Sequence, residues 1–181
     1  MMLRDGSALL SALAATLMIP GFMATPAAAQ SAAAVVNTSM VGNAGKEIGK
    51  LQLREGPQGT VMRLTIAPGN VSPGWHAIHF HAVGDCSDIA KFAMSMAHVN
   101  HAGKQHGLLN PGGPDDGDLP NVFAASDGAV NAEVYTIAKL SGADGLRDSD
   151  GSALILHANA DDYVSQPIGG AGDRIGCAVI K

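Results

Sequence analysis

His79-Phe80-His81 sets two imidazoles two residues apart. On a β-strand such residues leave the backbone on the same face. Trp75 to Ala82 alternates as a strand does, with Ile78, Phe80 and Ala82 turned the other way into a core. Downstream come His98-x7-His106 and Asp115-Asp116-Gly117-Asp118, and His157 closes the apolar run Ala153-Leu154-Ile155-Leu156. Imidazole suits copper and zinc, and carboxylate is a hard co-ligand for zinc. These residue types point to a metal centre if the fold brings them together.

The elements that must position them are short and β-rich, each closed by turn residues. The runs are Val35–Met40, Glu47–Arg54, Thr60–Ala67, Trp75–Ala82, Asn121–Ala125, Ala129–Ile137, Ser152–Ala158 and Arg174–Ile180. No amphipathic helix lies between them. The pattern predicts an all-β domain, an eight-stranded antiparallel Greek-key barrel or sandwich. The 23 glycines and 9 prolines agree with so turn-heavy a chain. Two connections, Val83–Pro120 and Asn159–Asp173, are too long to be turns. Long loops in compact domains tend to be functional, and both of these begin or end beside candidate ligands.

Arg4 precedes the apolar run Ala8–Ile19, and Pro20-Gly21 and Ala27-Ala28-Ala29 follow, just before Gln30. That is the layout of a cleaved secretory signal, with an apolar run too short for a stable membrane anchor. The expected organisation is a signal at 1–29, a flexible N-terminus at 30–34 and one domain at 35–181, exported to the periplasm or beyond. A net charge of −5, scattered basic residues and only 4% aromatic residues argue against nucleic acid as a partner. The alternatives for Cys86 and Cys177 are free thiols or a disulfide, and an oxidising compartment favours the disulfide.

Gly74-Trp75-His76-Ala77-Ile78-His79-Phe80-His81, Gly117-Asp118-Leu119-Pro120-Asn121, Leu156-His157 and Gly172-Asp173-Arg174-Ile175-Gly176-Cys177 follow one another in this order. Together they resemble the copper–zinc superoxide dismutase family, particularly its exported bacterial members, over roughly residues 35 to 181. The resemblance implies copper ligands at His79, His81, His98 and His157. It implies zinc ligands at His98, His106 and Asp118, with His98 bridging the two metals. Arg174 matches the family's anion-guiding arginine, Cys86 and Cys177 match its disulfide, and Asp161 matches its outer carboxylate that orients a histidine of each metal. The implied partner is the superoxide anion, with His98 as proton carrier; the resemblance also admits a homodimer.

One position departs from the family, which usually carries a third zinc histidine where this chain has Asp115. The family's zinc histidines bind through Nδ1, one bond beyond Cγ, as an aspartate oxygen also is. Zinc accepts either at a similar distance, so Asp115 is the expected fourth ligand; Asp116, His101 or an open position are the alternatives. His76 has the wrong parity to join His79 and is expected to hydrogen-bond nearby backbone. Met94-Ser95-Met96 invites a copper–thioether reading, but flexible packing is the expected role. Arg174 has a second reading, as the partner of Asp173 or another loop carboxylate. Beyond Arg174, steering of an anion against the net negative charge falls to Lys91 and Lys104. The rival to an enzyme is a non-catalytic copper-binding or copper-delivery module on the same fold.

Overall fold

The computed structural model describes Met2 and residues 34–181. Apart from Met2, the expected signal at 1–29 lies outside the described residues, as does most of the expected flexible N-terminus. Ala34 is already part of the fold, its carbonyl accepting from the amide of Glu55 at 2.9 Å. Among the described residues no helix is long and apolar enough to cross a membrane.

The chain forms β1 (Val35–Gly42), β2 (Glu47–Gly56), β3 (Gly59–Ile66), β4 (Gly74–His76), β5 (Ile78–His81), β6 (Val122–Ala124), β7 (Val130–Thr136), β8 (Ser152–His157) and β9 (Arg174–Ile180). A 3-10 turn, Ala93–Ser95, lies in the first long loop. Seven strands make one antiparallel sheet in the order β5-β8-β9-β1-β2-β3-β7, and β4 pairs with β6. Because β4 runs into β5 and β6 leads to β7, the small sheet links the two edges of the large one. Such closure is how all-β domains remove unpaired edges.

All eight expected runs are strands, but the fourth is broken at Ala77 into β4 and β5, which join different sheets. Alternation writes β3 plainly: Met62, Leu64 and Ile66 are buried while Val61, Arg63 and Thr65 face out. In β2 the period slips, since Ile48 and Leu51 both face in. Met40 pairs with Gly49 but Val41 with Glu47, so Ile48 is the extra residue of a bulge.

The core holds Met40, Leu51, Leu53, Met62, Leu64, Ile78, Phe80, Leu154 and Leu156. β8 is buried along its whole length. Its second face is covered by Phe92, from the first long loop, packed with Ala153, Ile155 and Cys177. Burying a phenylalanine is worth on the order of 2–3 kcal/mol, so this loop is anchored rather than draped. A disulfide between Cys86 and Cys177 fastens the same loop to β9.

Candidate metal centre

His79 and His81 are both fully buried. The sequence suggested a half-wet strand with Ala82 in the core, but all of β5 is buried and Ala82 is only partly so. The reason is a second layer of pairing. On one edge β5 bonds to β8. On the other, Phe80 donates to the Gly117 carbonyl, Val99 donates to Phe80 and Ala82 donates to Ala97, at 2.8–2.9 Å. The middle and the C-terminal end of the long loop therefore run along β5, setting His98 opposite His81 and Asp118 opposite His79. Gly117 permits this approach: a Cβ there would lie 2.4 Å from the Phe80 carbonyl oxygen.

Each candidate histidine has one ring nitrogen held by the protein. His81 Nδ1 donates to the Met96 carbonyl at 2.7 Å, and His157 Nδ1 to that of Gly172 at 3.2 Å. His79 Nε2 donates to Asp161 Oδ2 at 2.9 Å. His98 Nδ1 lies 3.0 Å from Asp115 Oδ2 and 3.6 Å from Asp118 Oδ1. The opposite nitrogens, His79 Nδ1, His81 Nε2, His98 Nε2 and His157 Nε2, are buried and have no hydrogen-bond partner. Buried polar atoms are nearly always paired, so four orphans on neighbouring rings are what a metal-binding set leaves. His79, His81 and His157 offer ligand atoms all within 4.8 Å of one another.

The second set is His98, His106, Asp115 and Asp118, whose ligand atoms also lie within 4.8 Å of one another. His106 Nδ1 is 2.5 Å from Asp118 Oδ1, while Asp118 Oδ2 accepts from the amides of Gly107 and Asp115 at 2.7 and 3.0 Å. Asp115 Oδ1 accepts from the Gly117 amide at 2.9 Å, leaving Oδ2 for the cluster. Both carboxylates are thus aimed by backbone N–H groups. His98 links the two sets: its Nδ1 lies among the carboxylates, its Nε2 is one of the four unpartnered nitrogens, and its ring centroid is 4.2 Å from that of His79. The donor chemistry fits copper at the imidazole set and zinc at the mixed set.

Electrostatics separates the two halves. Burial, with help from Arg174, lowers His81 from 6.5 to about 2. Burial, then His79, lowers His157 to about 3, and burial also lowers His79. Neutral imidazoles keep their lone pairs for a metal. For His98 burial works against the charged form, but Asp115 and Asp118 overcome it and raise the ring to about 9. Asp118 is lowered to about 2, because hydrogen bonding to His98 and to the Gly107 amide outweighs the effect of burial.

Asp161 ties the halves together. Its Oδ2 accepts from His79 Nε2, and its Oδ1 lies 3.2 Å from His106 Nε2. The side chain of Asn121 clamps the Asp161 backbone through both N–H and C=O at 2.9 Å. Gly169, at φ +60°, passes so close that a Cβ would lie 1.6 Å from Asp161 Oδ1. Neither Asn121 nor Gly169 was recognised in the sequence as part of the site, though Asn121 ends the Gly117–Asn121 motif.

Arg174 stands at the rim, half-buried, which lowers its pKa. Its Nη1 donates to the Phe92 carbonyl and Ser95 Oγ at 2.8 and 3.0 Å, and its Nη2 to the Met96 carbonyl at 2.8 Å. It makes no salt bridge with Asp173 or any other carboxylate among the described residues. Neutral acceptors orient the guanidinium without cancelling its charge, leaving the remaining N–H groups for an anion.

The other candidates lie elsewhere. His76 places its ring nitrogens 2.8 Å from the carbonyl oxygens of His157 and Ser72, a structural role. The His101 amide donates to Asp116 Oδ2 at 2.7 Å, so Asp116 turns outward and neither residue joins the cluster. Met94 and Met96 do not pack as expected: they are 49% and 57% exposed. Their turn is committed to Arg174 and Phe92, which leaves the thioethers outside.

Comparison with known proteins places this geometry. Residues 47–180 match the family model "Copper/zinc superoxide dismutase (SODC)". A superoxide dismutase [Cu-Zn] of Caulobacter vibrioides is 49% identical over 142 residues, covering 76% of this chain and 80% of that protein. A double mutant of a superoxide dismutase-like protein from Bacillus subtilis superposes with a TM-score of 0.76 at 31% identity, over 83% of this chain and 99% of that one. The Cu/Zn superoxide dismutase of Brucella abortus superposes with a TM-score of 0.67 at 26% identity, over 82% and 100% of the two chains.

Proposed function

The chain belongs to the copper/zinc superoxide dismutase family, and from that premise we propose which of its residues hold each metal and guide the substrate. Its activity is the disproportionation of superoxide to dioxygen and hydrogen peroxide, with copper and zinc as cofactors. His79, His81, His98 and His157 hold copper, and His98, His106, Asp115 and Asp118 hold zinc. The observation that carries this division is the set of four unpartnered ring nitrogens on His79, His81, His98 and His157.

Copper, when bound, supplies the one-electron couple, and zinc supplies a fixed positive charge beside it. The chain's own residues do the rest. Arg174 attracts superoxide and orients it with the donors its three backbone and hydroxyl acceptors leave free. His98 takes a proton at Nε2 in one half-reaction and returns it in the other. Asp115 and Asp118 hold its Nδ1 side, so the ring keeps its direction while the proton comes and goes. Asp161 fixes His79 and His106, setting the face that each presents to its metal.

The test is superoxide decay on protein loaded with copper and zinc, with both metals counted. Full metal content without decay would leave the copper-binding module as the better reading. Arg174→Ala lowers the decay rate at low ionic strength and narrows its dependence on salt if the guanidinium steers the anion.

We also propose that residues 1–29 are removed during export to the periplasm. The charge and small-residue layout of that segment supports this, as does a disulfide that suits an oxidising compartment. Assembly as a homodimer is supported by the outer face of β4 and β6. There Trp75 and Phe123 are 59% and 54% exposed and stack edge to face at 5.1 Å. Fractionation with N-terminal sequencing tests the first, and sedimentation of Trp75→Glu tests the second.

A further inference from the structure

The side chains of Met94 and Met96 have no part in the machinery described above. Met40 and Met62, inside the barrel, are fully buried, whereas Met94 and Met96 are largely open to solvent. Met96 also holds φ +63° and ψ −148°, a region suited to glycine that costs other residues on the order of 1–3 kcal/mol. Its side chain recovers little of that by burial. Backbone strain of this kind collects at functional sites, and the position is specific. The Met96 carbonyl accepts from His81 Nδ1 and from Arg174 Nη2. The two thioethers therefore rise from the turn that orients a copper ligand and the rim arginine. A thioether is a soft, uncharged donor that selects Cu(I) over hard divalent cations.

We propose that Met94 and Met96 form a surface acceptor for Cu(I), which hands the ion to His79, His81 and His157. The proposal rests on the assignment of copper to those histidines. The transfer is ligand exchange alone: bonds from copper to Sδ break as bonds to imidazole nitrogen form, and no electron changes hands. Two thioethers hold the ion less firmly than a full imidazole set, so the exchange runs inward.

The first test uses the copper- and zinc-loaded protein in its reduced state, labelled with methyl-13C methionine and titrated with Ag(I), a redox-inert soft cation. The Met94 and Met96 methyl signals are expected to move together, with Met40 and Met62 as stationary internal controls. M94L and M96L should each weaken the shift of the remaining thioether. No shift up to about 1 mM Ag(I), the affinity of a weak ligand, or equal shifts in the single variants, overturns the proposal.

The second test supplies Cu(I), as its bicinchoninate complex, to zinc-loaded protein without copper. The M94L/M96L double variant is expected to load about tenfold more slowly, within the range by which association rates vary among variants of one site. It reaches the same final copper content. An unchanged loading rate overturns the acceptor role. A final content below the full complement in the unaltered protein would instead count against the copper assignment, so the two failures read differently.

Discussion

Arg174 and His81 donate to the same atom, the carbonyl oxygen of Met96, at 2.8 and 2.7 Å. The residue that guides the anion and a residue that holds copper thus share one reference point. If the Met96 peptide shifts, both move in step, so the distance between charge and metal is protected.

That peptide is held at a backbone angle unsuited to methionine, and Met96→Gly relieves it. Strain of roughly 1–3 kcal/mol is offset by the extra freedom glycine gains when unfolded, about 0.4–1 kcal/mol. The expected net is a gain of about 1 kcal/mol in urea unfolding. Superoxide decay by the fully loaded variant stays unchanged, because the carbonyl remains. A loss of stability would show that the Met96 side chain holds the turn.

Asp161→Asn cannot accept from both His79 and His106, since one of its oxygens becomes an NH2 donor. Affinity for both metals is expected to fall about 10–100-fold, as it does when a carboxylate behind a ligand histidine is lost. Gly169→Ala should reproduce the effect, because the added methyl group occupies the place of Asp161 Oδ1. Competition with chelators for each metal reads both variants. A loss confined to one metal would mean that Asp161 does not couple the sites.

Asp115→Ala removes a zinc donor but no copper donor, so zinc affinity falls by about 10-fold or more and copper affinity changes far less. Asp115→His removes a negative charge from the zinc set. Its superoxide decay rate rises at low ionic strength and the advantage fades with added salt. No gain at low ionic strength would argue that Asp115 does not weaken the attraction.

Acid weakens the metal-free protein through the copper histidines. His81 and His157 titrate at about 2 and about 3 in the fold, against 6.5 in an ordinary histidine. The unfolded chain thus binds protons that the fold refuses, and stability present above 6.5 is lost as pH falls. Each ring contributes about 1.4 kcal/mol per pH unit. His98 has the opposite sign: raised to about 9, it gives stability that is present below 6.5 and lost as pH rises through about 9. Urea unfolding between about pH 5 and 9 should therefore peak near the ordinary histidine value. Replacing both His81 and His157 with glutamine should leave only the shallower acid limb that the lowered His79 contributes and spare the alkaline one; an acid limb of unchanged slope would contradict the assignment.

The eight strand runs and the ordered histidine motifs were legible because each is written locally, in a period or a spacing. The break at Ala77 was not, since it depends on which sheet each half joins. Nor was the dry setting of His79 and His81, because their polar face is sealed by two segments of one loop, 97–99 and 117–118. Asn121 touches Asp161 from 40 residues away and Gly169 by the folding back of their shared loop, and nothing in their surroundings announces either contact. The exposure of Met94 and Met96 was misread for a similar reason: the turn between them is spent on Arg174, which arrives from the last strand.

Asp161 has one further consequence. A carboxylate that steadies a ligand of each metal, beside a histidine that belongs to both, makes the sites thermodynamically interdependent. Whatever factor zinc adds to the affinity for copper, copper must add to the affinity for zinc. Asp161→Asn would reduce that shared factor as well as each affinity. A chain built this way resists half-filled states: binding the first ion spends the ordering cost of His79 and His106, and the second arrives at a site already set.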